Sequence, residues 1–164
     1  MNSLAALPEL IPHVIAWAHI HSQSAQQVGA ALNEDLLDLA RKVGVAHPQA
    51  IRIQMVDALP LPTEPTLRAA AVASGFSGPG LVGLTLGHSI FIVHGRASRR
   101  LLAHEFRHVH QYKALGSIED FFRVYLPQVA SLGYEAAPLE VDARAYEIVA
   151  YPSLEPPPAV QINR

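Results

Sequence analysis

The sequence predicts an α+β fold: a small, mainly antiparallel sheet packed on helices, with a helix around residue 105 at its centre. Three observations lead there. β-prone runs occupy the middle of the chain, at residues 51–57, 81–86 and Ile90–Val93, with helical patterns before and after them. Half of the 164 residues are apolar and 16% are charged, enough to bury a sizeable core. The string Leu101 to Tyr112 is a largely apolar helix, where a solvated one would carry more charge. One domain over residues 1–150 is expected, followed by a proline-rich tail over 151–164.

In chain order, a first helix is expected from Pro12 through Leu32, with Ile15, Ala18, Val28 and Leu32 as apolar positions. Asn33 then caps a second helix that carries Glu34 and Asp35 in its first turn, Arg41 and Lys42 in its last, and Gly44 as a stop. Those charges complement the helix dipole at both ends. Alternation in Ile51-Arg52-Ile53-Gln54-Met55 marks a half-buried strand, ended by Pro60, Pro62 and Pro65. An Ala-rich helix is expected over 66–74. The runs at 81–86 and Ile90–Val93 flank Gly87-His88-Ser89, as either a tight hairpin or one strand with a glycine irregularity. Ser98 caps the next helix, running to about Tyr112. Ser117 opens an aromatic-rich helix with a capping-box-like start, kinked or restarted at Pro127 and closed by Gly133. Pro138 begins the last helix, which extends to about Ala150.

Composition removes several functional classes. Lys plus Arg number 12 against 14 Asp plus Glu, for a net charge of −2, so no nucleic-acid partner is expected. Without cysteine there is no disulfide, thiolate zinc site or cysteine nucleophile. The apolar stretch from Leu4 to Ile20 is interrupted by Pro8, Glu9, Pro12 and His13 and has no basic residue before it. Neither an export signal nor a membrane span is expected, and a cytoplasmic location is the default.

The chemistry lies in His104-Glu105-Phe106-Arg107-His108, an H-E-x-x-H string within a helix. Shuffling this composition would yield the pattern roughly 0.03 times per chain. Histidines at i and i+4 are one turn apart and about 40° apart around the axis, so both imidazoles can meet one divalent ion. Glu105, about 100° round from His104, can reach a water at that ion rather than the ion itself. His110 points away, about 200° round from His108, and reads as a packing or surface histidine. A third donor is required. Glu140, in the first turn of the last helix, is the leading candidate, and Asp142, Glu135 and Glu147 compete with it. His19 and His21, two residues apart on a helix, cannot share a metal. Trp17 reads as core, Arg99 and Arg100 as solvated, and His88 and His94 as flanking the later strand.

With these residues the chain resembles the gluzincin group of zinc metallopeptidases, and more closely its small one-domain bacterial members, the minigluzincin type. The likeness rests on His104-Glu105-Phe106-Arg107-His108-Val109-His110-Gln111-Tyr112 and on Pro138-Leu139-Glu140-Val141-Asp142-Ala143-Arg144, and covers about residues 84–147. It implies a zincin-like fold in which His104, His108 and Glu140 bind one Zn2+. Glu105 would be the general base for a zinc-activated water in peptide-bond hydrolysis. It further implies that Ile90–Val93 is the edge strand along which a peptide or protein substrate pairs. Many gluzincins place an Asp four residues after the ligand Glu to orient a zinc histidine; here Arg144 stands there, leaving that support to Asp142 or a backbone carbonyl. Tyr112, Tyr134 and Tyr146 are candidate oxyanion donors. The competing readings are a catalytically weak zinc-binding module acting in binding or regulation, and a latent precursor whose N-terminal helix or tail covers the cleft.

Overall fold

A computed structural model describes residues 6–75 and 78–151. The expected tail lies, apart from Tyr151, outside the described residues. The fold is α+β. Helix α1 (Leu7–Val28) leads into the two-residue strand β1 (Ala30–Ala31), then α2 (Glu34–Lys42), β2 (Arg52–Val56), α3 (Pro65–Ala73), β3 (Gly83–Leu86) and β4 (Ser89–Val93). Three helices complete it: α4 (Arg99–Leu115), α5 (Ile118–Leu132) and α6 (Pro138–Tyr146), the last continued by a 3₁₀ turn at Glu147–Ala150.

Local chemistry accounts for most of the boundaries. The Asn33 side chain accepts from Leu36 N, Ser98 from Leu101 N and Ser117 from Asp120 N, so three helices begin where a short polar side chain can satisfy a first-turn N–H. α1 starts earlier than the sequence pattern suggests. Pro8 occupies its first turn, where a missing N–H costs nothing, and Pro12 stays inside the helix at the expense of one ladder bond. α1 also ends sooner, at Val28, and Ala30–Ala31 pairs with β2 instead of extending the helix. α5 likewise runs unbroken through Pro127.

The sheet is mixed rather than mainly antiparallel. Its order is β1-β2-β4-β3, with β1–β2 and β4–β3 antiparallel but β2–β4, its five-residue pairing, parallel. Gly87 and His88 form the hairpin between β3 and β4. Gly87 adopts φ +65°, a conformation a two-residue hairpin turn asks of its first residue and that glycine takes without strain. This order corrects the expected edge. Ile90–Val93 lies between β2 and β3, and its continuous apolar run is buried on both faces as an inner strand requires. The edges are β1 and β3, and it is β3 that carries Gly83 and Thr85 beside Glu105 of α4.

Side chains of β4 alternate between two cores. Ile90 and Ile92 pack with Phe106 and Val109 of α4 and Leu39 of α2. Phe91, with Leu84 and Leu86 of β3, packs with Ala18 and Ala25 of α1 and Phe121, Phe122 and Tyr125 of α5. The central helix is therefore α4, which presents eleven buried residues, while α1 lies across the opposite face of the sheet. No helix among the described residues is long and apolar enough to cross a membrane. Asn33→Ala should lose about 1 kcal/mol of stability through the cap, and Leu39→Ala, at a fully buried position, about 2–5 kcal/mol. Urea unfolding of the two variants checks that ranking.

Candidate metal centre

α4 carries His104 and His108 on successive turns, and α6 crosses it so that Glu140, in its first turn, faces both. The approach of α6 is fixed at its start, where Leu139 N donates to Gln128 Oε1 of α5. His104 Nε2 and His108 Nε2 are 3.1 Å apart. Glu140 Oε2 lies 3.2 Å from the first and Oε1 3.4 Å from the second. All three side chains are buried, Glu140 to 2% exposure. His104, His108 and Glu140 thus form a buried group that could hold a metal ion.

The hydrogen bonds on the far side of each ring decide what its inner nitrogen offers. Gln111 Nε2 donates to Leu139 O and to Asp142 Oδ2, both at 2.8 Å. Its Oε1 is therefore the atom that accepts from His108 Nδ1–H at 2.8 Å. His104 Nδ1 similarly donates to Glu147 Oε1 at 3.0 Å. With both Nδ1 atoms protonated, both Nε2 atoms of the neutral rings turn a lone pair inward. Tyr125 Oη donates to Glu140 Oε1 at 2.8 Å, whereas Glu140 Oε2 is buried with no hydrogen-bond partner. Two facing lone pairs and an orphaned carboxylate oxygen are unfavourable by themselves and are satisfied together by a cation. The spacing fits as well: donors ~2.0–2.1 Å from a tetrahedral ion are ~3.3–3.4 Å apart.

Protonation stabilises the same cluster without an ion. Burial would lower the His104 pKa, but the Glu140 and Glu147 carboxylates outweigh it and raise it to about 10. Burial likewise opposes His108, which Glu140 nonetheless raises. For Glu140 burial acts upward, and the two histidines outweigh it and hold the carboxyl well below its usual range.

Glu105, also buried, stands beside this group. Thr85 Oγ1 of β3 donates to its Oε2 at 2.6 Å and to its backbone carbonyl at 3.2 Å. Gly83 makes room for the carboxylate, since a Cβ there would lie 2.4 Å from Glu105 Oε1. A cavity of about 30 Å³ touches Glu105, His108, Glu140, Gly83 and Tyr134, room for about two waters.

The remaining candidates separate clearly. Asp142 is no ligand: it pairs with Arg107, Nε to Oδ2 at 2.8 Å, while Arg107 Nη1 donates to Val43 O at 2.9 Å and the guanidinium lies 3.7 Å over the Tyr146 ring. Glu147 faces the outer nitrogen of His104 and also accepts from Arg100 Nε, whose side chain is exposed as expected. Glu135 stays outside the group, and Arg144 is bound to the Glu135 carbonyl. The orienting partners of the two histidines are therefore Glu147 and Gln111, with Asp142 acting through Gln111. Of the tyrosines, Tyr112 and Tyr134 both line the cavity, but the Tyr112 hydroxyl is committed to Thr85 O at 3.1 Å, and Tyr146 lies under Arg107. His110 bonds the Gly44 carbonyl at 2.8 Å, and His94 is exposed near Asp57. Sequence reasoning missed Gly83, Thr85, Gln111 and Tyr125. Only Gly83 carried a signal, because a glycine inside a strand marks close approach. Compared with protein-family models, curated proteins and solved structures, the chain matches none of them.

Two outcomes are expected. Because Glu140 and Glu147 raise the His104 pKa to about 10 and Glu140 raises that of His108 as well, loading with zinc at pH 7–8 should release at least one proton per ion, and affinity should rise at least about tenfold per pH unit. Calorimetry in buffers of different ionisation enthalpy measures that release. Glu147→Gln should weaken zinc binding about 10–100-fold, read by competition with a chromogenic chelator.

Proposed function

We propose that this protein is a zinc-dependent peptidase with a zincin-like arrangement, His104, His108 and Glu140 holding one Zn2+ and Glu105 serving as general base. The carrying observation is the meeting of three converging ligand atoms with a separately anchored carboxylate across a cavity large enough for water. Two neutral imidazoles and one carboxylate leave a bound divalent ion with net charge near +1. Such an ion supplies Lewis acidity that brings the pKa of water toward ~7 and polarises a substrate carbonyl.

Every other task falls to the protein. Glu105 accepts the proton of the attacking water and passes it to the departing amine. Thr85, bonded to Oε2, fixes the carboxylate so that Oε1 is the atom that takes that proton. Tyr134 is the donor for the developing negative charge on the carbonyl oxygen. Burial, followed by Glu140 and Glu105, pushes its phenol up, so it stays protonated and able to donate. An extended peptide pairs with β3, not with Ile90–Val93. Val93 N bonds Val82 O, so the alternation of the ladder turns the peptide groups of Gly83 and Thr85 away from β4.

The small cavity favours one alternative, a zinc-binding module with little turnover, and the same assay separates the two. Zinc-loaded wild type should hydrolyse small peptides and lose activity to a chelator. Glu105→Gln should retain one equivalent of zinc and lose about 10²–10⁴-fold in kcat. Equal inertness of both proteins with zinc bound would establish the binding module instead. Gly83→Ala should cost a comparable factor by displacing the Glu105 carboxylate, with zinc content unchanged.

A further inference from the structure

The cavity beside Glu105 is small, about 30 Å³, where a single water needs ~10–15 Å³. Phe121 forms part of its wall, next to His108 and Tyr112. Its ring stacks on Tyr112 at 3.8 Å and on Tyr125 at 5.1 Å between centroids, and meets the His108 ring edge-on at 6.3 Å. At 3% exposure and held among four rings, Phe122 being the fourth, it has little free volume to move into.

The β3 edge is also partly closed. Of its outward-turned peptide groups, the Thr85 carbonyl already accepts from Tyr112 Oη. One turn further, Gly87 abuts Ile118, whose Cδ1 lies 3.3 Å from where a Cβ would stand. Gly83 therefore keeps both peptide groups unpaired with β4, in a strand that is buried in the free chain, while past it the ladder is partly taken. Leu81 and Tyr134, which also line the cavity, are only half-buried, so its wall is less tightly packed there.

Resting on the peptidase reading above, we propose that the substrate residue lying over Thr85 is glycine or alanine, and that Phe121 is the side chain that imposes this limit. The substrate class is an amide with one minimal flank and one unrestricted flank.

The test uses the full zinc-loaded chain and a set of short peptides in which Gly, Ala, Leu or Phe is placed in turn on each side of the central amide. One flank should favour Gly and Ala over Leu and Phe by about 100-fold in kcat/KM, and the other should be tolerant. Phe121→Leu, which keeps an apolar side chain in place, should cut that preference at least tenfold, and Phe121→Ala further if it folds. Zinc content and cooperative unfolding are measured on each variant. A second arm reads binding instead of turnover: calorimetric affinities of the same peptides for zinc-loaded Glu105→Gln, with and without Phe121→Leu. The same size ranking in that arm, without hydrolysis by wild type, would support the size limit while removing the peptidase reading. Equal acceptance of Leu and Ala on both flanks, an unchanged ratio in Phe121→Leu, or binding of no peptide at all would overturn it.

Discussion

Two imidazole nitrogens 3.1 Å apart, each turned inward by an acceptor on its far side, face a buried carboxylate. Such an arrangement is costly in a low-dielectric interior, and much of the surrounding structure serves to hold it. The spacing along α4 puts both rings on one face. What keeps them there is α6 with the 3₁₀ turn that continues it, which together bring Glu140 to the inner side, Glu147 to the outer side of His104, and Asp142 to the amide that orients His108. Three acidic residues of one short segment thus have three different tasks, separated by which direction each faces.

The buried pair Arg107–Asp142 shows how far this support extends. Arg107 sits on α4 between the two histidines, yet it points away from them. It joins the end of α2 through the Val43 carbonyl, α6 through Asp142, and the aromatic face of Tyr146. An unpaired charge in that position would destabilise the fold by several kcal/mol. Paired on every side, it locks the rotation of α6 against α4, and with it the direction of Glu140. Glu105 depends on the sheet instead, through Thr85 and the space left by Gly83. The two halves of the candidate site therefore rest on different packing layers.

Features set by local spacing were legible in the sequence. His104 and His108 follow from the helical repeat, Glu140 from its place in a first turn behind a proline, and the caps Asn33, Ser98 and Ser117 from short-range chemistry. Features set by register and crossing were not. Ile90–Val93 is compatible with an edge or an inner position until its partners are known, and its uninterrupted apolar run was the clue to the inner one. The hairpin alternative was decided by the positive φ of Gly87. Gln111 and Tyr125 look like ordinary helix residues, because nothing local says that one holds an imidazole and the other a carboxylate. Arg144 stands where many of the peptidases that the sequence resembles have an Asp, and the carboxylate at the outer nitrogen of His104 is Glu147, one helical turn later, where the chain tightens into a 3₁₀ turn.

The order of the ligands along the chain has a further consequence. Residues 109–139, 31 in number, separate the second histidine from the carboxylate, and all of α5 lies within that interval. An ion gripped by both ends would tether this segment as a covalent staple does, removing from the unfolded chain the freedom those residues otherwise have. Rigidity would be gained mainly by α5 and its aromatic rings, of which Tyr125 and Phe121 already touch Glu140 and His108. Metal supply would then bear on the core that α5 shares with α1, β3 and β4, and not on the ligands alone.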